Sequence, residues 1–266
     1  MNNAYLPFKA AITGVMPQTA SDYTYRLATD LDVRPGQFME VSIPGVGEAP
    51  ISVSDFGSGW IEMTIRNVGR LTGVIHELKP GGHFFIRGPY GHGFPLEEFT
   101  GRDLIIAAGG TGLAPVKSIL SRHCSGQGRL KSLTLLAGFK TPSDMLFKDE
   151  ISAWREKIDV QITVDKIDEN SSPWDGSTGL ITGLITKVPV QNPGNTRVII
   201  VGPPVMMKFS ALEFLKRDIA RENIWVSFER KMCCGLGKCG HCKIDDTYVC
   251  LEGPVFNYTR AEELID

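Results

Sequence analysis

A chain of 266 residues, 42% hydrophobic and 22% charged, has the composition of an ordinary globular protein, which excludes a disordered or collagen-like chain. At roughly 100–200 residues per domain, the length implies two domains with room for an appendage. Its 28 basic and 30 acidic side chains leave a formal charge of −2, and with no basic run in the sequence a nucleic-acid-binding face is excluded.

The first 98 residues read as β-structure. β-rich runs at 8–15, 23–29, 37–43, 51–54, 60–66 and 83–87 are separated by turn signals such as Arg34-Pro35-Gly36, Gly57-Ser58-Gly59 and Lys79-Pro80-Gly81-Gly82. Ile61-Glu62-Met63-Thr64-Ile65-Arg66 alternates as a strand with one buried face does. Six such strands predict an antiparallel barrel or sandwich, with one helix at 72–78. In the loop before that helix, Arg66 has the fork to pair with a phosphate, and Gly69 with the amides near Thr72 offers an anion cradle.

From residue 99 the rhythm changes. Strands are predicted at 104–108, 133–137, 160–164, 197–201 and 224–228, and helices from 113, at 144–157 and at 205–220, with a polar loop at 168–173. Strands alternating with helices predict a parallel sheet covered on both faces. The run Ala108-Gly109-Gly110-Thr111-Gly112-Leu113-Ala114-Pro115 joins a buried strand to a helix. Unpaired amides and partial positive charge at a helix start suit a diphosphate, and Gly110 and Gly112 permit its close approach. Pro115 stands where a dinucleotide fingerprint has its third glycine, and proline is at home in a first helical turn. A second loop, Gly202-Pro203-Pro204, also follows a strand and opens a helix, where open α/β sheets bind ligands.

The stretch 229–266 is too poor in apolar residues for a core of its own. Five of the six cysteines lie in it. Cys234, Cys239, Cys242 and Cys250 are spaced C-x4-C-x2-C-x7-C, opening as plant-type [2Fe-2S] ferredoxins do. Gly235, Gly237 and Gly240 allow the tight curl that brings four thiolates around a small inorganic core, and Cys250 is expected to close the ring from a strand at 247–249. Structural zinc is the rival reading; it usually takes two short Cys/His pairs, and only Cys239 and Cys242 form one. Cys233 and Cys124 read as bystanders. Gly237-Lys238 is not a phosphate loop, since Met232 and Cys239 replace its glycine and hydroxyl residues. The five histidines show no metal-ligand spacing.

These groups, in this order, resemble the ferredoxin-NADP+ reductase superfamily, in the branch that carries a C-terminal [2Fe-2S] loop. The resemblance rests on Glu48-Ala49-Pro50-Ile51-Ser52-Val53-Ser54, Gly88-Pro89-Tyr90-Gly91, the glycine-rich loop ending at Pro115, Gly202-Pro203-Pro204, and Phe228-Glu229-Arg230-Lys231-Met232 running into the cysteines. It implies a six-stranded antiparallel flavin-binding barrel at 1–98, a parallel-sheet NAD(P)H-binding domain at 99–226 and a small [2Fe-2S] segment at 227–266. Pro50, Ile51, Ser52 and Val53 would contact the flavin ring and ribityl chain. Arg66, Asn67, Gly69, Leu71 and Thr72 would hold the FAD diphosphate. Gly109 to Pro115 with Gly202, Pro203 and Pro204 would bind NADH, in preference to NADPH, and the four cysteines the cluster. The usual flavin motif R-x-Y-S/T reads Ala49-Pro50-Ile51-Ser52 here, and Val201 replaces the common cysteine before Gly-Pro-Pro.

Within the branch the likeness implies an NADH-dependent electron-transfer subunit of anaerobic sulfite reductase. Only Cys124 and Cys233 remain after four ligands, so sulfite would be reduced on partner subunits of iron-sulfur and sirohaem type, docked near the cluster. Electron transfer to dihydroorotate dehydrogenase or to a sulfhydrogenase is the alternative, and a zinc-containing nucleotide-sensing module a second. No side chain is expected to act as a catalytic acid or base. The longest apolar run, 198–207, is broken by Gly202-Pro203-Pro204 and is too short for a membrane span. No basic stretch followed by an apolar one opens the sequence, so a cytoplasmic location is expected.

Overall fold

The computed structural model describes residues 5–168 and 174–265, so the polar loop predicted at 168–173 lies outside them beyond Asp168. The chain divides into two compact units. One comprises residues up to Phe94 together with Glu229–Val255, and the other Pro95–Phe228 with the residues from Phe256 on.

The first unit contains the predicted barrel. Strands β1 (Phe8–Pro17), β2 (Asp22–Ala28), β3 (Phe38–Ile43), β4 (Gly47–Gly57), β5 (Trp60–Arg66) and β6 (His83–Tyr90) close in the order β1-β2-β5-β4-β3-β6, with every neighbour antiparallel. The alternation read in β5 turns Ile61, Met63 and Ile65 inward, where they meet Tyr25, Leu27, Met39, Val41, Phe84 and Ile86. Each such side chain contributes about 1.5–3 kcal/mol by leaving water. Helix α1 (Arg70–His76) follows β5, and the buried Tyr25 hydroxyl donates to the Ile75 carbonyl at 3.0 Å, tying the helix to the core.

In the second unit, strands β7 (Asp103–Gly109), β8 (Ser132–Phe139), β9 (Asp159–Val164), β10 (Ser177–Thr178), β11 (Thr196–Val201), β12 (Ile224–Ser227) and the late β15 (Val255–Asn257) form one sheet in the order β10-β9-β8-β7-β11-β12-β15. The chain leaves β7 for β8 on one side and later returns to place β11 on the other, both parallel to it. That reversal beside β7 is the topological switch point at which such sheets open a crevice at their carboxyl ends. Helices α2 (Lys117–Cys124), α3 (Lys148–Arg155), α4 (Thr182–Ile185) and α5 (Pro204–Leu215) lie between these strands in the sequence.

Three local expectations change. The helix expected from residue 113 begins only at Lys117; residues Gly110–Val116 form a 3-10 turn first, because Pro115 lacks an amide and disfavours the α conformation before it. The helix expected at 144–157 shrinks to α3, entered through Phe147 at φ 56°. Most of the cysteine segment belongs with the barrel unit, as strands β13 (Lys243–Ile244) and β14 (Thr247–Tyr248) and helix α6 (Val249–Glu252). The final residues leave it: Phe256 and Tyr258, Ala261 and Leu264 of and after helix α7 (Tyr258–Ala261) are buried in the second unit. No helix among the described residues is long and apolar enough to cross a membrane.

Candidate functional site

The cysteine loop curls as its glycines allow, with Gly235, Gly237 and Gly240 at φ of 71°, 67° and 81°. All six cysteines are free thiols. Cys250 sits on α6 and not on the strand expected at 247–249, which ends one residue earlier at Tyr248. Backbone amides face the sulfurs: those of Leu236 and Lys238 approach Cys234 Sγ at 3.3 and 3.4 Å, and that of Gly237 approaches Cys250 Sγ at 3.2 Å. The amides of His241, Cys234 and Cys233, with the Cys234 thiol, hold the Cys239 thiol below the usual thiol range. Burial, with the neighbouring Cys242 thiol, pushes Cys250 up to about 12.

Among the other thiols, the Cys234 thiol bears most on Cys239 and the Cys242 thiol on Cys250. Among the described residues no three Cys, His, Asp or Glu side chains gather around the position of a single ion. Four thiols in one loop, with amides facing the sulfurs, suit an iron-sulfur core held by cysteine. Cys233 is exposed, and burial raises the half-buried Cys124 thiol; neither has a place in this set.

Sequence reasoning missed what holds this loop to the barrel. On the outer face of β6, Arg87 is 5% exposed. It donates from Nε and Nη2 to the two Glu48 oxygens at 2.8 and 2.6 Å, and from Nη2 and Nη1 to the carbonyls of Cys233 and Cys234 at 2.7 and 2.6 Å. A further Nη1 bond reaches the Tyr90 hydroxyl at 3.2 Å. Beside Arg87 in register, Glu40 of β3 is fully buried with neither carboxylate oxygen hydrogen-bonded. An arginine before Gly-Pro and a glutamate inside an apolar strand are the only sequence signals, and neither names a partner.

The expected flavin strand lies in β4, beside β3 and β5. Val53 is buried and Ile51 packs against the barrel core, so by strand alternation only Pro50 and Ser52 of the four face outward. The expected arginine–phosphate fork is engaged otherwise: Arg66 Nε and Nη2 close on Asp22 at 2.8 and 3.0 Å. Burial alone would raise the Asp22 carboxyl, but bonds from Arg66, Thr19 and Ser21 outweigh it and hold the group below its usual value. Thr72 Oγ1 accepts the amides of Val68 and Gly69, both at 2.9 Å. The amides left for an anion are those of Arg70, Leu71 and Thr72, which open α1 and have no partner within it. The Leu71 side chain packs on the core, and Asn67 is exposed, its amide bonded to the Ser21 carbonyl at 2.8 Å. Replacing Arg66 with alanine is expected to cost about 2–3 kcal/mol by stranding the Asp22 carboxylate. Urea unfolding of Arg66→Ala and Asp22→Asn/Arg66→Ala checks this, the double variant recovering most of the loss.

In the second unit, the two predicted nucleotide loops emerge side by side, since Ala108 and Val201 are register partners at the ends of β7 and β11. Gly110 takes a left-handed φ of 55°, and Gly110 and Thr111 are partly exposed. Gly112, Leu113, Ala114 and Pro115 are buried and shape the turn from within. The Met206 side chain packs over both Gly109 and Gly202, while Pro203 and Pro204 are exposed. A Cβ on Gly112 would collide with the Val201 carbonyl. Gly112→Ala is expected to cost about 1–3 kcal/mol and to weaken dinucleotide binding, read by thermal unfolding and by NADH titration. Past the end of β8, Thr141 Oγ1 donates to Asp144 at 2.8 Å and the Ser143 amide to Asp168 at 3.2 Å.

Comparison with known proteins places these features. A family described as an oxidoreductase NAD-binding domain matches residues 106–211. The iron-sulfur cluster binding domain of dihydroorotate dehydrogenase B matches 229–262, which favours an iron-sulfur loop over structural zinc. The chain is 36% identical to the sulfhydrogenase 1 gamma subunit of Pyrococcus furiosus, over 91% of this chain and 82% of that one. It is 34% identical to the sulfhydrogenase 2 gamma subunit of the same organism, over 97% of both. A probable dihydroorotate dehydrogenase B (NAD+) electron transfer subunit of Thermococcus kodakarensis is 33% identical over 91% of both chains. In fold it is similar to an NADH-dependent reduced ferredoxin-NADP oxidoreductase, with a TM-score of 0.77 and 22% identity over all of this chain and 91% of that one. These relatives overturn the expectation of a sulfite reductase subunit, and none of them supports a sirohaem-type partner.

Proposed function

We propose, from the premise that this chain belongs to the iron-sulfur flavoprotein branch of the ferredoxin-NADP+ reductase superfamily, with the sulfhydrogenase gamma and dihydroorotate dehydrogenase B electron-transfer subunits, that it is the electron-input subunit of a multi-subunit redox complex. The observation that carries this is the cysteine loop, its amides turned to the sulfurs and its backbone held to the barrel by Arg87. When bound, NADH supplies a hydride, FAD accepts two electrons and releases them singly, and a [2Fe-2S] cluster carries them one at a time.

The protein's part is position. Pro50 and Ser52 present the outer face of β4 to the flavin, while Ile51 and Val53 anchor that strand to the core. The amides of Arg70, Leu71 and Thr72 receive the flavin diphosphate, and Arg66 fixes their turn through Asp22. Gly110, Thr111, Gly202, Pro203 and Pro204 border the crevice that admits the dinucleotide, shaped from below by Gly109, Gly112, Leu113, Ala114 and Pro115. Carboxylates of Asp144 and Asp168 past β8 oppose a 2′-phosphate and favour NADH. Cys234, Cys239, Cys242 and Cys250 would hold the cluster. No side chain is required as acid or base.

The test is an anaerobic purification with iron, sulfide and zinc analysis and visible spectra before and after NADH or NADPH. Iron with equal sulfide, and flavin bands bleached faster by NADH, are expected. Zinc without flavin would overturn the reading. Whether a hydrogenase or a dihydroorotate-oxidising subunit co-purifies then identifies the acceptor.

A further inference from the structure

Arginine side chains have five N–H donors in a rigid plane, and all five of Arg87 are used. Three bind the barrel unit's own strands, at Glu48 and Tyr90, and two bind consecutive carbonyls of the cysteine loop. The guanidinium also lies over the Tyr90 ring, 5.5 Å from its centroid, and Gly235 packs against that ring from the loop side. The grip is therefore two-dimensional: it fixes both where the loop lies and how its peptide planes are turned.

The turning matters because a trans peptide carries its C=O and N–H on opposite sides. The carbonyl of Cys233 and the amide of Cys234 belong to one such plane. Arg87 takes the carbonyl at 2.7 Å, which fixes the plane leading into Cys234, whose Sγ faces the amides of Leu236 and Lys238. The buried guanidinium thus grips the backbone on both sides of a ligand cysteine. Hydrogen bonds in series polarise one another, so a carbonyl held by arginine orders this backbone more firmly than a solvated one would. The carbonyl of Cys234 is held in the same way at 2.6 Å, which turns the next amide, that of Gly235, away from the barrel.

Net charge and hydrogen bonds to sulfur are two of the levers that set an iron-sulfur potential. The second acts here: amides pointed at Cys234 Sγ stabilise the added electron, and Arg87, its own charge balanced by Glu48, holds the backbone that presents that sulfur to them. We propose that Arg87 is a positioning residue for the cluster, fixing the backbone on both sides of Cys234 so that its sulfur meets the amides of Leu236 and Lys238, and raising the reduction potential of the centre. This rests on the iron-sulfur assignment of the preceding section.

The test uses the full chain, purified without oxygen, as parent, Arg87→Gln and Arg87→Lys. Iron, sulfide and flavin contents are measured first, then the cluster midpoint by redox titration followed by electron paramagnetic resonance. Arg87→Gln is expected to keep its flavin and its bleaching by NADH, showing an intact barrel. Its cluster is expected either to be lost on purification or to titrate lower, by about tenfold in the reduced-to-oxidised ratio at fixed poise, which is 59 mV for a one-electron couple. Arg87→Lys keeps the charge without the fork, and recovers part of that shift while the resonance signal stays altered. If Arg87→Gln lacks flavin as well as iron, the lysine variant decides. A lysine or glutamine variant with the parent's midpoint and signal overturns the proposal. A parent without iron and sulfide overturns the cluster assignment itself, before any variant is compared.

Discussion

Replacing Cys250 with serine is expected to strip the chain of its iron while leaving NADH reduction of the flavin intact. Cys250 and Cys242 are the two buried thiols of the set, and burial holds Cys250 protonated up to about 12 in the metal-free loop. Iron must displace that proton, and a serine hydroxyl, far more basic than a thiol, resists the same exchange. Changes in the shell outside metal ligands already cost 10–100-fold in affinity, so loss of a ligand is expected to lower iron retention by more than roughly 100-fold. Electron delivery to a one-electron acceptor such as cytochrome c falls with it, and ferricyanide, reduced directly at the flavin, is spared. Iron analysis and the two acceptor assays check this. Full iron and full cytochrome reduction in Cys250→Ser would sink the ligand assignment.

The second large effect concerns Glu40. Its side chain is fully buried with both oxygens lacking a hydrogen-bond partner among the described residues. Arg87, the nearest cation by register, has spent its donors elsewhere. Burial pushes the Glu40 carboxyl up to about 7 from the usual 4.5; the Arg87 charge pulls against that shift, and Glu48 adds to it. The folded value lies above the unfolded one, so the fold favours the neutral acid. That contribution is fully present below pH 4.5 and is lost as pH rises through 7. The shift corresponds to about 3 kcal/mol. Glu40→Gln, neutral at every pH, is expected to match the parent near pH 4.5 and to exceed it by up to about 3 kcal/mol above pH 8. Urea unfolding under anaerobic conditions at both pH values measures it; parallel pH profiles for the two proteins would refute it.

What was legible in the sequence follows a physical line. Alternation in Ile61-Glu62-Met63-Thr64-Ile65-Arg66 was enough to orient β5, because burial on one face of a strand imposes a period of two. The cysteine spacing pointed to a cluster because few other centres need four thiolates so close together. Local chemistry also marked the loops at Gly109 and Gly202, although only the strand order shows that they adjoin at the switch point. Partnerships over long separations were not legible. Arg66 reads as a phosphate ligand until Asp22, 44 residues away, occupies its fork. Arg87 is only the end of a β-rich run in the sequence; the carbonyls that complete its shell lie more than 140 residues away. The start of α2 was misplaced because Pro115 suits a first α turn as well as the last part of a 3-10 turn. The terminal acceptor is not legible for another reason: the motifs that carry the resemblance match an NAD-binding and an iron-sulfur domain, and neither names the acceptor.

The chain visits its two units in alternation, barrel, sheet, barrel and sheet again. Synthesis runs from the N-terminus, so the six strands of the barrel exist on the ribosome long before the cysteines do. At about 5–20 residues per second, the 146 positions between Arg87 and Cys233 correspond to roughly 7–30 seconds of translation. Through that interval Arg87 and its neighbours face solvent, and the entire strand set of the nucleotide sheet except its last edge is made. The electron exit is thus the last functional part to be assembled. A chain interrupted between Phe228 and Cys234 carries the barrel and both loops at the switch point but none of the four clustered thiols.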